Sequence, residues 1–141
     1  MHYLVAVDGS EPSDGALDHA LMLSAALDAS LTVAYAVEPN AVEPNADGDD
    51  SLYTEDPDDA EARGERIVAD ATGRAAENGV DAEAVLLYGD AVETITAYAA
   101  ENGVDGIVVG HRGLSDRVEG MVGSVAKRLV ANAAVPVTVV R

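Results

Sequence analysis

The chain has 141 residues, of which 48% are hydrophobic, and its 26 acidic residues against eight Lys and Arg give a net charge of −18. This length and apolar content predict one domain over residues 1–141. No apolar run reaches the about 18 residues of a membrane-spanning helix, and the lack of cysteine excludes disulfides and thiolate chemistry. Because so acidic a surface repels nucleic acid and anionic lipid, we expect neither as a partner.

The composition also bears on the environment of the protein. Acidic residues are abundant, Lys127 is the single lysine, and most hydrophobic residues are Ala and Val. This combination is typical of proteins from halophiles, in which concentrated salt screens the self-repulsion. An ordinary acidic protein is the alternative. The N-terminal residues lack the basic region and the cleavage site of a signal peptide, so we expect a cytoplasmic protein.

Strand-like and helical patterns alternate along the chain. Short apolar runs predict strands, and apolar residues at helical spacing predict helices. The alternation predicts an α/β fold, a parallel sheet with helices on both faces and right-handed crossovers. The polar stretch 38–56 is predicted to be a surface loop, either mobile or a lid. In chain order the elements are strand 3–7, helix 13–27, strand 31–37, helix 58–78, strand 84–88, helix 91–102, strand 106–109, helix 125–133 and strand 136–140.

An internal repeat marks two helix ends. The segment Ala-Ala-Glu-Asn-Gly-Val-Asp occurs at 75–81 and again at 99–105. In each copy the glycine is predicted to end a helix in the left-handed conformation, which glycine adopts without steric cost. The repeat is therefore interpreted as structural. Within the longest predicted helix, Gly64 and Gly73 are expected to lower the helix propensity.

A glycine signature follows the fourth predicted strand. Gly110 and Gly113 are separated by two residues, and nine further residues lead to Gly123-Ser124 at the start of the last predicted helix. Glycines let the backbone turn tightly and approach a ligand closely. A helix N-terminus supplies free N–H groups and the positive end of a dipole, to which Ser124 adds a hydroxyl. The spacing therefore predicts a phosphate site without a Walker lysine.

The fold pattern and the signature indicate the same place. In doubly wound sheets, ligands bind beyond the carboxyl ends of the strands, where the strand order reverses. If the first predicted strand lies beside the fourth, Asp8 and Gly110 both line that crevice. Structural alternatives exist for each residue: Asp8 could serve only to start the first helix beside Ser10, Ser124 could be a plain N-cap, and the glycines at 110 and 113 could serve only a tight turn.

Half of the basic residues lie in or just after the signature. They are Arg112, Arg117, Lys127 and Arg128. In so acidic a chain, a local group of cations is a candidate anion site. We assign Arg112 to the loop, whereas Lys127 and Arg128 are expected on the exposed face of the last helix. His2 and His19 lack partners at metal-ligand spacing, and no metal ligand is assigned.

Several segments together resemble the universal stress protein family. They are 4–10, the Gly-Asp-Ala turn at 89–91, 104–113, the Gly-Ser-Val element at 123–125 and 135–140. The resemblance covers nearly the whole chain, and the intact glycine spacing is the ATP-binding signature of that family. It implies a doubly wound, adenine nucleotide alpha hydrolase-like fold with a five-stranded parallel sheet in the order 3-2-1-4-5.

The resemblance further implies ATP, with Mg²⁺, in the crevice. Relatives that bind ATP in some cases carry Thr at the position of Ala126 and His at that of Tyr35, so this chain lacks one possible phosphate contact. The family commonly forms homodimers through the last strand, and an exposed apolar edge strand is a pairing template. Together with Arg112, the implied nucleotide-binding residues are Ala6, Val7, Asp8, Ala36, Val37, Val109, Gly110, Gly113, Gly123, Ser124 and Val125.

Three functions remain open from the sequence. The first is an ATP-binding, nucleotide-responsive regulatory homodimer of the stress response. The second is a weak ATPase or an autophosphorylating protein; no catalytic residue is assigned, because phosphoryl transfer needs charge neutralisation by a metal with Lys or Arg, and no Walker lysine is present. The third is an interaction module that keeps the fold but binds no nucleotide.

Overall fold

Strands and helices alternate in the computed structural model, which describes residues 1–38, 42–44, 52–54, 56–113 and 122–141; for 42–44 and 52–54 it describes the backbone alone. For the nine predicted elements, the observed boundaries coincide with the predicted ones or differ from them by at most two residues. The elements are β1 His2–Ala6, α1 Glu11–Leu27, β2 Ser30–Val37, β3 Val42–Pro44, β4 Leu52–Thr54, α2 Pro57–Glu77, β5 Ala82–Tyr88, α3 Ala91–Glu101, β6 Gly106–Gly110, α4 Ser124–Asn132 and β7 Val137–Val140.

Five of these strands form one parallel sheet in the order β5-β2-β1-β6-β7. Counted along the chain, its strands lie in the order 3-2-1-4-5, so the predicted order is confirmed. The central strand is β1, whose Ala6 pairs with Ala34 of β2 on one side and with Val109 of β6 on the other. The strand order therefore reverses at β1, beside β6.

Both faces of the sheet are covered by helices. Leu4 and Val5 of β1 are both fully buried, although they point to opposite faces. Val5 packs with α1 and α2 and Leu4 packs with α3 and α4. Strands buried on both faces read as continuous apolar runs, as Ile107, Val108 and Val109 do. The small side chains of the sequence thus form two cores, one on each side of the sheet.

Local sequence explains where most helices begin and end. Ser10, Asp56 and Asp90 are the N-caps of α1, α2 and α3, and each side chain accepts a hydrogen bond from a first-turn N–H. Just beyond α2 and α3, Gly79 and Gly103 have φ of +71° and +65°. The interpretation of the repeat as a pair of glycine helix ends is confirmed.

Gly64 has a packing role that the sequence did not indicate. It lies in α2, and a Cβ placed on it would meet Cδ1 and Cε1 of Tyr35 at 2.5 and 2.7 Å. The Tyr35 ring on β2 is 4% exposed, and its hydroxyl accepts hydrogen bonds from Nε and Nη2 of Arg63 at 3.1 and 2.8 Å. Glycine lets α2 lie against this ring, whereas a Cβ at Gly73 would have no atom of the described residues within 4 Å.

The stretch 38–56 is not entirely a loop. β3 and β4 form an antiparallel pair within it, with Val42 opposite Thr54 and Pro44 opposite Leu52. The prediction of a loop is wrong for these six residues, because Asp, Asn and Gly between the two short strands dominate the composition of the stretch. Residues 39–41, 45–51 and 55 lie outside the described part, so the choice between a mobile loop and a lid stays a prediction. Across the described residues, no helix has the length and apolar character to cross a membrane.

Candidate functional site

The carboxyl ends of the parallel strands meet at one edge of the sheet. Beyond the end of β1, the N–H of Val7 still donates to the carbonyl of Ala34 at 2.9 Å. β2 continues three residues farther, to Val37, in register with β5. β2 therefore extends farther at this edge than β1 and β6 do. Six of the predicted site residues lie there, on or directly after three adjacent strands: Ala6, Val7, Ala36, Val37, Val109 and Gly110.

Asp8 lies at this edge, between β1 and α1. Its Oδ1 accepts hydrogen bonds from the N–H of Ser10 at 2.9 Å and from the Ser10 hydroxyl at 2.5 Å. Its own N–H donates to Oγ of Ser13 at 2.9 Å. Asp8 thus contacts the N-cap of α1, and whether it serves only to start that helix stays open. A contact between Asp8 and a nucleotide stays a prediction.

Gly110 is needed for packing rather than for a turn. It is the last residue of β6, and its φ lies outside the left-handed region. A Cβ there would lie 2.6 Å from the carbonyl oxygen and 2.7 Å from the carbonyl carbon of Pro12. The tight-turn interpretation is thus wrong for Gly110, because the first turn of α1 presses directly on the end of β6. Gly113 stands half-buried three residues later.

Backbone hydrogen bonds join the two ends of the glycine signature. The N–H of His111 donates to the carbonyl of Val140 at 2.8 Å, and the N–H of Gly123 donates to the carbonyl of His111 at 2.5 Å. The start of α4 is thereby fixed beside the end of β6. Residues 114–121, including Arg117, lie outside the described part.

The N-terminus of α4 differs from those of the other described helices. Gly123 is the N-cap, with extended φ and ψ of −71° and 164°, and its carbonyl accepts from the N–H of Lys127 at 3.1 Å. The interpretation of Ser124 as the N-cap is therefore wrong, since Ser124 is the first helical residue. No side chain of the described residues caps α4, and its first turn holds no acidic residue. Its first N–H groups form a potential anion site.

The two basic residues of α4 lie at its surface, as expected. Lys127 is exposed. Arg128 holds Asp90 in a two-point contact, with Nη1 to Oδ1 at 3.1 Å and Nη2 to Oδ2 at 3.0 Å. The hydrogen bonds from Arg128 hold the pKa of Asp90 below its usual value, and Asp90 in turn raises the pKa of Arg128. Arg112 is half-buried beside Gly113.

Glu38 belongs to this edge, although sequence reasoning did not identify it. Its Oε1 accepts a hydrogen bond from the N–H of Ala91 at 2.8 Å. The N–H of Gly89 donates to the carbonyl of Val37 at 3.0 Å, so the end of β2 and the start of α3 are joined twice. With Asp90 as N-cap, the N-terminus of α3 is occupied by the protein's own carboxylates. A composition-based search could not find Glu38, because glutamate is common throughout the chain.

Comparisons with known proteins agree with this architecture. A sequence model described as "Universal stress protein family" matches residues 1–141. The chain belongs to the universal stress protein family. Universal stress protein YxiE of Bacillus subtilis (strain 168) is 35% identical over 144 residues, which cover 98% of this chain and 97% of YxiE.

Solved universal stress proteins share the fold. UspA from Lactobacillus plantarum superposes with a TM-score of 0.83 at 24% identity, covering 100% of this chain and 97% of that one. A universal stress protein in complex with cAMP superposes with a TM-score of 0.74 at 27% identity, with 100% and 96% covered. The expected doubly wound, adenine nucleotide alpha hydrolase-like fold of the universal stress proteins is thus confirmed.

Tyr35 and Ala126 are core positions in this universal stress protein. Tyr35 packs beneath α2 and is held by Arg63. Ala126 is 1% exposed and belongs, with Leu129, to the buried side of α4. Both side chains therefore contribute to the cores on which the edge rests.

Proposed function

We propose that this universal stress protein binds an adenine nucleotide, ATP with Mg²⁺, at the carboxyl edge of its sheet and acts in the stress response as a nucleotide-responsive regulator. In this proposal residues 1–141 form one nucleotide-binding domain. The observation that carries the proposal is the N-terminus of α4, which no side chain of the described residues caps and which is hydrogen-bonded to the residue after β6, beside the point where the strand order reverses.

The distribution of charge supports α4 as the phosphate site. α1, α2 and α3 each have a side-chain cap and acidic residues in the first turn. In a chain of net charge −18, carboxylates are available almost everywhere. α4 instead begins with glycine and serine and has no first-turn carboxylate among the described residues. The positive end of this helix dipole is thus available to a phosphate.

The backbone contacts refine which groups would hold the phosphate. The N–H of Gly123 already donates to His111, so Gly123 would contribute through its lack of a side chain. The N–H groups of Ser124 and Val125, with the exposed Ser124 hydroxyl, are the donors at the start of α4. Gly113 would approach from the other side, and Arg112 would add positive charge. Mg²⁺ would be held mainly by phosphate oxygens, as is usual for this ion.

The nucleoside would lie against the ends of the central strands. Ala6 and Ala36 have small side chains at the ends of β1 and β2, and Val7 and Val37 beside them are apolar, which suits a nucleoside ring system at this edge. Val109 and Gly110 would lie beneath the nucleotide, and Asp8 would face the ribose or the adenine. The complex of a 27% identical universal stress protein with cAMP supports an adenine nucleotide as the ligand class.

We further propose a cytoplasmic homodimer from a halophilic archaeon. β7 is an edge strand of the five-stranded sheet and pairs with β6 alone within it. Its Val137, Val139 and Val140 are only half-buried, so a second copy could pair along this edge. The acidic surface fits a protein that works in concentrated salt, where the charges are screened.

A charge placed at the start of α4 tests the nucleotide site directly. Ser124→Glu puts a carboxylate into the first turn, where it interacts favourably with the helix dipole and repels a phosphate. We expect this variant to keep its thermal stability but to lose ATP affinity by about tenfold or more. Ala131→Glu adds the same charge at the exposed far end of α4 and is the matched control.

Binding is measured by calorimetric titration with Mg-ATP in high salt. Wild type and Ala131→Glu should bind Mg-ATP with the same affinity, and Ser124→Glu should bind it more weakly. Equal affinities in all three proteins would show that the phosphate does not bind at the start of α4. No binding by any of them would favour an interaction module that does not use nucleotide.

A further inference from the structure

We infer that Arg128 and Asp90 form a positioning pair that sets where the N-terminus of α4 meets the phosphate of a bound nucleotide. The inference rests on the proposed nucleotide site and adds residues to it that do not touch the ligand. Both nitrogens Nη1 and Nη2 of Arg128 bond separate oxygens of Asp90, at 3.1 and 3.0 Å. Two parallel hydrogen bonds fix orientation as well as distance, which a single point contact does not.

Among the described residues, the other side-chain contacts of α4 are mainly apolar and lie on its core side. It is nine residues long, and the buried side chains within it are Ala126 and Leu129. It packs mainly against α3 and only lightly against β7. The apolar contacts of Ala126 and Leu129 carry no direction, and the hydrogen bond from Gly123 to His111 holds α4 at its N-cap. The paired hydrogen bonds from Arg128, on the α3 side of α4, add a directional contact farther along the helix.

Asp90 is itself held at the start of α3, which is bonded to the end of β2. It caps α3 by accepting from the N–H of Glu93 at 3.0 Å. The residue before it, Gly89, bonds the carbonyl of Val37, and the residue after it, Ala91, bonds Glu38. Arg128 therefore connects the helix proposed for the phosphate to the end of β2, the strand proposed for the nucleoside.

Positioning and direct electrostatics make opposite predictions for Asp90→Asn. If the charges acted directly on the nucleotide, removal of a carboxylate would strengthen the binding of an anion. If the pair positions α4, the same change weakens binding, because the two-point contact is lost. Asparagine is also a good N-cap, so α3 keeps its first turn.

Arg128→Lys supplies the second variant. Lysine keeps the positive charge but cannot form the paired hydrogen bonds of the guanidinium. Positioning therefore predicts weaker binding by this variant too, whereas a purely electrostatic role predicts wild-type binding. Arg74→Gln is the control: Arg74 forms an exposed ion pair with Asp18 that joins α2 to α1, and these two helices cover the other face of the sheet from α4.

The experiment measures the affinities of the full-length wild type and three variants for ATP and for adenosine in high salt. We expect Asp90→Asn and Arg128→Lys to lose about fivefold in ATP affinity and to keep the adenosine affinity of the wild type. Arg74→Gln should bind both ligands as the wild type does. Because adenosine lacks the phosphate, a defect in the position of α4 should leave its affinity unchanged. General unfolding would instead weaken the binding of both ligands.

Each other result overturns the inference. Wild-type or tighter ATP binding by Asp90→Asn, wild-type binding by Arg128→Lys, or an equal loss for adenosine would each show that the pair does not position the phosphate helix. A wild type that binds neither ATP nor adenosine would overturn the proposed function itself, and the positioning pair with it.

Discussion

The backbone N–H of Gly123 donates a hydrogen bond to the carbonyl of His111 at 2.5 Å, and this contact joins the start of α4 to the end of β6. His111 also bonds β7, through its N–H to the carbonyl of Val140 at 2.8 Å. One residue thus contacts both the helix proposed for the phosphate and the strand proposed for the dimer. A ligand at α4 and a partner at β7 would act on the same short segment.

Gly64 should not tolerate a side chain. In Gly64→Ala the new Cβ meets two ring atoms of Tyr35 within 2.7 Å, and the ring is held by Arg63. Overpacking outweighs the gain in helix propensity, so we expect a loss of about 2 kcal/mol in the free energy of unfolding. Gly73→Ala in the same helix meets nothing and should gain about 0.5–1 kcal/mol. Urea denaturation of both variants in high salt measures the difference, and equal stabilities would contradict the close contact.

Gly110→Ala should separate β6 from α1. The clash is with the backbone carbonyl of Pro12 at 2.6 Å, which cannot rotate away as a side chain would. We expect a loss of about 1–3 kcal/mol in stability and weaker nucleotide binding, since Gly110 lies at the proposed site. Gly15→Ala in α1 is the control, because its nearest neighbour would be Val140 at an ordinary 3.9 Å. If Gly110→Ala were as stable as the control, glycine at 110 would have to be explained by the ligand alone.

Substitution by alanine should change the stability differently at two serines, the N-cap of α1 and a buried residue within that helix. Ser10 caps the helix and bonds Asp8, so Ser10→Ala should cost about 1 kcal/mol. Among the described residues, the buried Oγ of Ser24 has no hydrogen-bond partner, so Ser24→Ala should be neutral or stabilising. Thermal denaturation of the two variants compares them. A stability loss at Ser24 matching that at Ser10 would show that its hydroxyl is satisfied.

Much of the fold could be predicted from sequence because its signals are local. Alternating apolar runs gave the strands and helices, and the repeated glycine at 79 and 103 gave two helix ends. The strand order came from the family resemblance. These features depend on a few adjacent residues or on the whole pattern, and neither requires knowledge of a particular tertiary contact.

Three of the features that sequence reasoning missed are long-range contacts. Gly64 against Tyr35, Gly110 against Pro12, and Arg128 against Asp90 each join residues far apart in the chain. A glycine that admits a neighbouring backbone looks, in sequence, like one that makes a turn. The short β3–β4 pair was missed for a related reason: three-residue strands carry too little periodicity to outweigh the polar residues between them.

The most direct test of the central claim is the nucleotide content of the purified protein. The protein is prepared with high salt throughout and denatured, and the released small molecules are identified by mass. The proposed site predicts an adenine nucleotide in the wild type and its loss from Ser124→Glu. A wild type that releases no nucleotide, and that shows no thermal stabilisation by added Mg-ATP, would contradict the nucleotide site.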